Sequence, residues 1–210
     1  MKIISHRGYW KSNEEKNTSL AFERSFSLHF GTETDFRDYN EELVISHDIA
    51  NSTSITADYF FNLFNSFNPS IPLALNIKAD GLQTKLKALL ERYQIENYFV
   101  FDMSIPNTLG YIKEKIRFFS RQSEYEPSPI FYKECDGIWL DCFLEIWYTK
   151  QTILDHLDNN KQVAFVSPEL HERDPLALWD FLKQNGISQL DGVILCTDIP
   201  EDAVKFFNNI

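Results

Sequence analysis

The sequence predicts an α/β chain folded as a (β/α)8 barrel, and three observations predict it. Eight short runs rich in β-branched and aromatic residues recur along the 210 residues, with amphipathic stretches of helical spacing between most of them. No Pro/Gly-rich linker and no low-complexity tract interrupts this rhythm, so 1–210 reads as a single domain. The first strand-to-helix turn reads SHRGYW, not the GxGxxG that an open, doubly wound sheet uses to approach a dinucleotide, which favours closure into a barrel. The length lies near the lower bound of about 200 residues for that architecture.

In chain order the strand candidates are KIIS (2–5), TETDF (32–36), LALNI (73–77), YFVFD (98–102), IRFFS (116–120), GIWLD (137–141), VAFVS (163–167) and GVILC (192–196). The helical stretches are NTSLAFERSFSLHF (17–30), TADYFFNLFNSF (56–67), LQTKLKALLERY (82–93), QTILDHLDNN (151–160), PLALWDFLKQN (175–185) and PEDAVKFFNN (200–209), toward a full set of roughly eight. Asn17-Thr18 supplies a side-chain oxygen for a helix start, and Pro200-Glu201 places proline where no backbone donor is needed. Alternation along a strand sends Glu33 and Asp35 to one side and Thr34 and Phe36 to the other. In LALNIK, Ala74, Asn76 and Lys78 likewise share a side opposite Leu73, Leu75 and Ile77. A barrel strand keeps apolar residues outward under its helices and polar inward residues near the C-terminal mouth, and both strands fit that rule.

Composition narrows the function. A hydrophobic share of 43% with 24% charged residues is that of a soluble globular protein, and 18 phenylalanines forecast a core of large rings. A net charge of −11 argues against a nucleic-acid partner, and it requires local positive charge wherever an anion is to bind. No apolar run approaches the ~18 residues of a membrane span, so stable membrane insertion is not expected. The apolar stretch in MKIISHRGYW is too short for a secretion signal. Cys135, Cys142 and Cys196 are odd in number and lack CxxC spacing, which fits a reducing, cytoplasmic setting.

Two carboxylates two residues apart on one face of a buried strand repel each other and lose hydration. A buried lysine or arginine is the plain structural remedy. A hard divalent cation, Mg²⁺ or Ca²⁺ (with Mn²⁺ also admissible), is the sharper one, because it takes oxygen ligands and offsets both charges together. In the barrel reading, His6 and Arg7 follow the first strand, His47-Asp48 follows the apolar run LVIS, and Lys78 follows the third strand, all opening onto one rim. Two imidazoles, two cations and two acids there suit a phosphate ester: cations hold phosphate oxygens and histidines move protons. His29 and His156 fall in helical stretches and take structural roles, while His171 in PELHERD stays open.

These residues resemble the glycerophosphodiester phosphodiesterases and their relatives with a phosphatidylinositol-phosphodiesterase-like barrel. The likeness rests on SHRG (5–8), KNTSLAFERSF (16–26), GTETD (31–35), ISHD (45–48), LALNIK (73–78) and LCTDIP (195–200), in the order of that family's HRG, PENT-like, ExD, HD, ExK and T-D-x-P motifs. The resemblance implies a (β/α)8 fold, a divalent metal, and hydrolysis of a small phosphodiester to an alcohol and a phosphomonoester. It assigns His6 and His47 as the acid/base pair, Arg7 as the phosphate grip, Glu33 and Asp35 as metal ligands, and Lys78 as the group that neutralises developing charge. Attack by the substrate's own hydroxyl through a cyclic phosphate and attack by water both stay open.

The chain departs from the pattern at two residues and one length. Asn76 replaces the family's third metal-ligating glutamate and Lys16 replaces the glutamate of PENT. An amide carbonyl still suits a hard cation but brings no charge. Glu169 in VAFVSPEL is the preferred substitute acid, ahead of Asp141 and Glu124. Only residues 48–75 separate His47 from Asn76, without the family's usual insertion, which forecasts a shallow, open mouth. Trp139, with Trp10 and Tyr125, is the candidate wall for substrate. The leading expectation is a metal-dependent phosphodiesterase. The alternatives are a non-catalytic anion-binding barrel that has lost its full metal coordination, and a phospholipase D-like enzyme that forms a cyclic phosphate.

Overall fold

Nine strands and seven α-helices follow one another in a computed structural model that describes residues 1–67 and 70–208. Asn209, the end of the last helical stretch expected above, lies outside the described residues. The strands are β1 Lys2–His6, β2 Gly31–Tyr39, β3 Glu42–Ile45, β4 Leu73–Ile77, β5 Tyr98–Phe101, β6 Phe119–Gln122, β7 Gly137–Leu140, β8 Gln162–Val166 and β9 Val193–Thr197. The helices are α1 Ser19–Ser27, α2 Ala57–Ser66, α3 Gln83–Arg92, α4 Ile105–Glu114, α5 Lys150–Asp158, α6 Leu176–Gln184 and α7 Pro200–Asn208. Eight strands run parallel with helices between them, the α/β (β/α)8 barrel fold. No helix among the described residues is long and apolar enough to cross a membrane.

The chain divides into two compact units, one of Met1–His6 with Phe119 onward and the other of Arg7–Phe118. In the first unit the parallel strands lie in the order β1-β9-β8-β7-β6, with α5 joining β7 to β8, α6 joining β8 to β9, and α7 following β9. Its interior is apolar, with Ile4, Ile138, Leu140, Phe165 and Leu195 all buried. β6 leads to β7 through a segment with no α-helix, and Pro127 and Pro129 explain this difference from the expected alternation. Each removes a backbone donor and disfavours the helical region at the residue before it.

The second unit sets β5, β4 and β2 side by side, parallel, with β3 antiparallel on β2. The β2–β3 hairpin turns on Asn40 and Glu41, both at positive φ (47° and 66°), the backbone that a two-residue turn needs to match strand twist. Helix starts follow the chemistry of their caps: Thr56 Oγ1 accepts the Tyr59 N–H at 3.1 Å, and Thr18 occupies the same place before α1. α4 escapes the periodicity argument because Pro106 and Gly110 break it. Pro106 costs little in a first turn, and a Cβ on Gly110 would lie 2.6 Å from the Gln83 side chain, so the glycine is where α3 and α4 close together. The expected ring-rich core is here: Phe22, Phe26, Phe36, Phe60 and Phe61 are at most 1% exposed, and Phe22 meets Phe60 edge to face at 4.8 Å.

Candidate functional site

Within the second unit, residues from four segments converge on Asp35. Glu33 and Asp35 lie on one side of β2 and are 1% and 0% exposed. The Asn17 side chain donates to Asp35 Oδ2 at 2.8 Å, Arg7 Nε lies 3.3 Å from the same oxygen, and Lys78 Nζ lies 3.5 Å from Oδ1. Glu33 accepts the Arg7 backbone N–H at 3.1 Å. The turn that makes this possible is HRG itself. Arg7 adopts φ 56° and Gly8 φ 79°, and a Cβ on Gly8 would fall 2.8 Å from Ala21 Cβ on α1. Only glycine fits there. The Gly8 N–H then reaches Thr32 Oγ1 at 3.0 Å, and the Arg7 carbonyl accepts the Asn17 N–H at 2.9 Å.

Electrostatically the two acids are unequal. Burial pushes the Glu33 carboxyl well above the usual carboxylate range, Asp35 pushes it further, and Arg7 and Lys78 offset only part of this. Asn76 on β4 stands directly opposite Asp35 in the strand register and is buried. Asp35 Oδ1 and Asn76 Oδ1 are both buried without a hydrogen-bond donor. These two oxygens on neighbouring strands, the Asp35 one facing the Lys78 ammonium at 3.5 Å, stand beside the Glu33 carboxyl and form a donor set of the hard-oxygen kind that Mg²⁺, Ca²⁺ and Mn²⁺ accept. No group of three or more His, Cys, Asp or Glu side chains forms a metal cluster among the described residues, so such a site would rest on two acids and one amide.

His47 belongs to the same unit. It follows β3 in a loop tied to β2 at two places: Ser46 N–H donates to the Asp35 carbonyl at 2.9 Å, and Arg37 Nε and Nη2 donate to the His47 carbonyl at 3.2 and 3.1 Å. Its imidazole is 41% exposed, with Nδ1 2.9 Å from the carboxylate of Asp48. Trp10 lies under the Lys16 ammonium at 4.2 Å, a cation–π contact that uses the lysine found where the family has glutamate.

The first unit carries the other expected residues. His6 ends β1, and its Nδ1 lies 2.8 Å from Asp198 Oδ1, just past β9. An ionised carboxylate only accepts, so Nδ1 bears the proton of this bond. Glu169 accepts the Thr197 and Ser167 hydroxyls at 2.5 Å each and the Asp198 N–H at 3.1 Å. Glu124 gathers the backbone N–H groups of Phe143, Leu144 and Glu145, bonds that hold its carboxyl below the usual range despite burial. Asp141 receives His171 Nε2 at 2.7 Å and the Cys142 N–H at 2.9 Å. Trp139 is buried in β7, and Tyr125 is 67% exposed with its ring 5.8 Å from Phe143. His156 lies in α5, held between Tyr132 and Gln122, whereas His29 falls just beyond the end of α1 at φ 60°, not within the helix. Sequence reasoning gave Asn17 only a place at a helix start and assigned no role to Arg37 or Asp198, although Asn17 and Asp198 lay inside the quoted motifs.

No family model matches the chain, and no curated protein does. Solved structures do. A glycerophosphodiester phosphodiesterase from Agrobacterium tumefaciens is similar over 100% of both chains, with a TM-score of 0.71 at 15% identity. This chain shares its fold. An Oleispira antarctica phosphodiesterase, solved with its product sn-glycerol-3-phosphate, matches over 100% of this chain and 97% of its own, with a TM-score of 0.70 at 15% identity. A glycerophosphodiester phosphodiesterase from Parabacteroides distasonis matches over 98% and 96%, with a TM-score of 0.68 at 16% identity.

Proposed function

We propose that this chain is a metal-dependent phosphodiesterase that hydrolyses a small, glycerophosphodiester-like substrate to an alcohol and a phosphomonoester. The observation that carries the reading is the buried Asp35, flanked by Arg7 and Lys78 and facing Asn76, with two donorless oxygens between the strands. A structural scaffold gains little from this arrangement, since buried opposed charges seldom stabilise more than apolar packing does. Similarity to phosphodiesterase structures, one of them solved with sn-glycerol-3-phosphate, supports the substrate class.

In this reading Glu33, Asp35 and Asn76 hold a divalent cation, Mg²⁺, Ca²⁺ or Mn²⁺. When bound, that ion supplies positive charge to the non-bridging phosphoryl oxygens. Arg7 grips a phosphate oxygen through its guanidinium, and Lys78 offsets the charge that grows on the phosphoryl group in the transition state. His6 and His47 move the protons: one imidazole takes a proton from the attacking hydroxyl, the other gives one to the departing alcohol oxygen as its bond to phosphorus breaks. The nucleophile is water or a neighbouring hydroxyl of the substrate. A second reading, an anion-binding barrel without catalysis, is favoured by two departures from the family pattern, the amide at Asn76 in place of a third carboxylate and Lys16 in place of the PENT glutamate.

The deciding experiment incubates the purified protein with bis(p-nitrophenyl) phosphate, glycerophosphodiesters and lysophospholipids, with each metal and with a chelator. Metal-dependent release of alcohol and phosphomonoester is expected, with a cyclic intermediate visible by ³¹P NMR if the substrate's hydroxyl attacks. Absence of metal-dependent cleavage across the whole panel overturns the enzymatic reading and leaves the anion-binding one.

A further inference from the structure

His6 can serve as an acid or base only if its ring is held in one tautomer and one direction, and the first unit contains the apparatus for doing so. Asp198 Oδ1 accepts the hydrogen bond from His6 Nδ1–H at 2.8 Å. Asp198 itself sits in the short turn after β9, and an aspartate in a turn holds an imidazole no better than the turn is held. That turn is tied from behind by one side chain. Glu169 Oε1 accepts both the Thr197 hydroxyl at 2.5 Å and the Asp198 backbone N–H at 3.1 Å. Its other oxygen accepts the Ser167 hydroxyl at 2.5 Å, and Ser167 Oγ in turn accepts the Trp179 indole N–H at 2.9 Å. Thr197 Oγ1 closes the turn by accepting the Ile199 N–H at 3.1 Å.

The backing of this chain is rigid. Ser167 and Thr197 are fully buried, and Trp179 is only 3% exposed on α6. Ser167 N–H also donates to the Cys196 carbonyl at 2.9 Å, which locks the end of β8 to the end of β9. Two of the three donors aimed at Glu169, the Ser167 and Thr197 hydroxyls, are thus anchored on buried residues, and the third is the Asp198 N–H of the turn itself. Charge-assisted bonds of this kind are the strong class of hydrogen bond, and networks of them in a low-dielectric interior fix geometry more firmly than their members do singly.

We propose that Glu169 is a positioning residue that acts through Asp198, setting the tautomer and direction of the His6 imidazole. The inference rests on the phosphodiesterase reading only for its effect on rate; the effect on the ring is a property of the unit itself. It gives Glu169 a task different from the metal ligation expected of it from VAFVSPEL at the end of a strand.

The test uses Glu169→Gln in the full-length protein, with ¹⁵N-imidazole NMR of His6 as the primary readout. In the parent protein the neutral ring is expected to show the proton on Nδ1 alone. In E169Q the neutral ring is expected to divide between both tautomers, and turnover of bis(p-nitrophenyl) phosphate should fall about ten- to a hundredfold in kcat with KM little changed, since loss of a general acid or base outright costs about 10²–10⁴-fold. An unchanged single tautomer in E169Q overturns the proposal. If E169Q does not fold, Thr197→Val removes one of the three ties, and it must show the same tautomer mixing in smaller measure or the proposal is overturned. A tautomer shift in a protein that cleaves no phosphodiester supports the relay and rejects the enzymatic reading, so the two failures are separable.

Discussion

Replacing Glu33 and Asp35 singly and together measures how the second unit balances its charges. Asp35 is fully buried and faces two cations, Arg7 and Lys78, each only 21% exposed. Removing the partner of a buried ion costs about 3–5 kcal/mol, because the remaining charge stays desolvated. Asp35→Asn alone should cost less, about 1–2 kcal/mol, largely the difference between a charge-assisted and a neutral hydrogen bond from Asn17. The reason is Glu33: burial still opposes its ionisation, but with its neighbour neutral the added repulsion disappears while Arg7 and Lys78 continue to favour the charge, so negative charge shifts toward it. Glu33→Gln alone should be neutral or slightly stabilising, since the protein already disfavours that carboxylate. The double variant strands both cations without either carboxylate and should show the full ~3–5 kcal/mol. The coupling between the sites is therefore roughly 2–3 kcal/mol, well beyond additivity. Urea unfolding at neutral pH in a chelating buffer, followed by circular dichroism and extrapolated linearly, supplies the four free energies. Single-site costs that simply add, within about 0.5 kcal/mol, would show that the two acids do not share the cations.

Further expectations are independent of that cycle. A divalent cation present at about a hundredfold its dissociation constant should stabilise the protein by about 2.7 kcal/mol in thermal unfolding, and Asn76→Asp should lower the concentration needed; an unmoved midpoint in both proteins speaks against a cation at β2 and β4. His6→Ala and His47→Ala should each cost about 10²–10⁴-fold in kcat with unfolding curves close to the parent's, and an unimpaired rate in either variant removes that imidazole from the chemistry. Gly8→Ala should destabilise by about 1–3 kcal/mol, because alanine must adopt φ 79° while its Cβ meets Ala21; a cost near zero in urea would mean that the turn relaxes freely. Burial holds the pKa of His156 below its ordinary value, so the unfolded chain takes up that proton first as pH falls. Its contribution to stability is full above pH ~6.5 and fades as pH drops through the unfolded and then the folded value, and His156→Gln should flatten that part of the stability profile.

How much of this was legible in the sequence depends on the distance over which each feature is determined. Seven of the eight parallel strands coincide with the apolar runs, because a strand buried on both faces is largely apolar, whereas β6 shares only Phe119 and Ser120 with IRFFS and runs on through Arg121 and Gln122. The pairing of Glu33 with Asp35 on one face needed only the two-residue period of a strand. Lys78 and Asn76 followed from the same period on β4. α4 was missed because a proline and a glycine, read locally, argue against a helix, and only the Gln83 side chain packed against Gly110 shows what the glycine is for. Between β6 and β7, where no helical stretch was assigned, the chain forms no α-helix, and Pro127 and Pro129 lie in that segment. Asn17 and Arg37 were missed for a different reason. Each acts on a partner many residues away, Asn17 on Asp35 and Arg37 on the His47 carbonyl, and no periodicity within a strand or helix records such a contact. The Asp198–His6 bond joins residues from opposite ends of the chain, and a motif can point to such residues without saying which atom meets which.

The attachment of His47 has a consequence of its own. Arg37 grips the peptide carbonyl of that residue, not its ring, and the neighbouring amide is pinned to the strand that carries both acids. The backbone is therefore a fixed pivot, while the ring is 41% exposed and, among the described residues, bonds to an aspartate open to water, which leaves it room to swing. A proton carrier has to turn between the atom it collects from and the atom it delivers to, without wandering from the path between them. Clamping the axle and leaving the wheel unclamped gives it that freedom and no more.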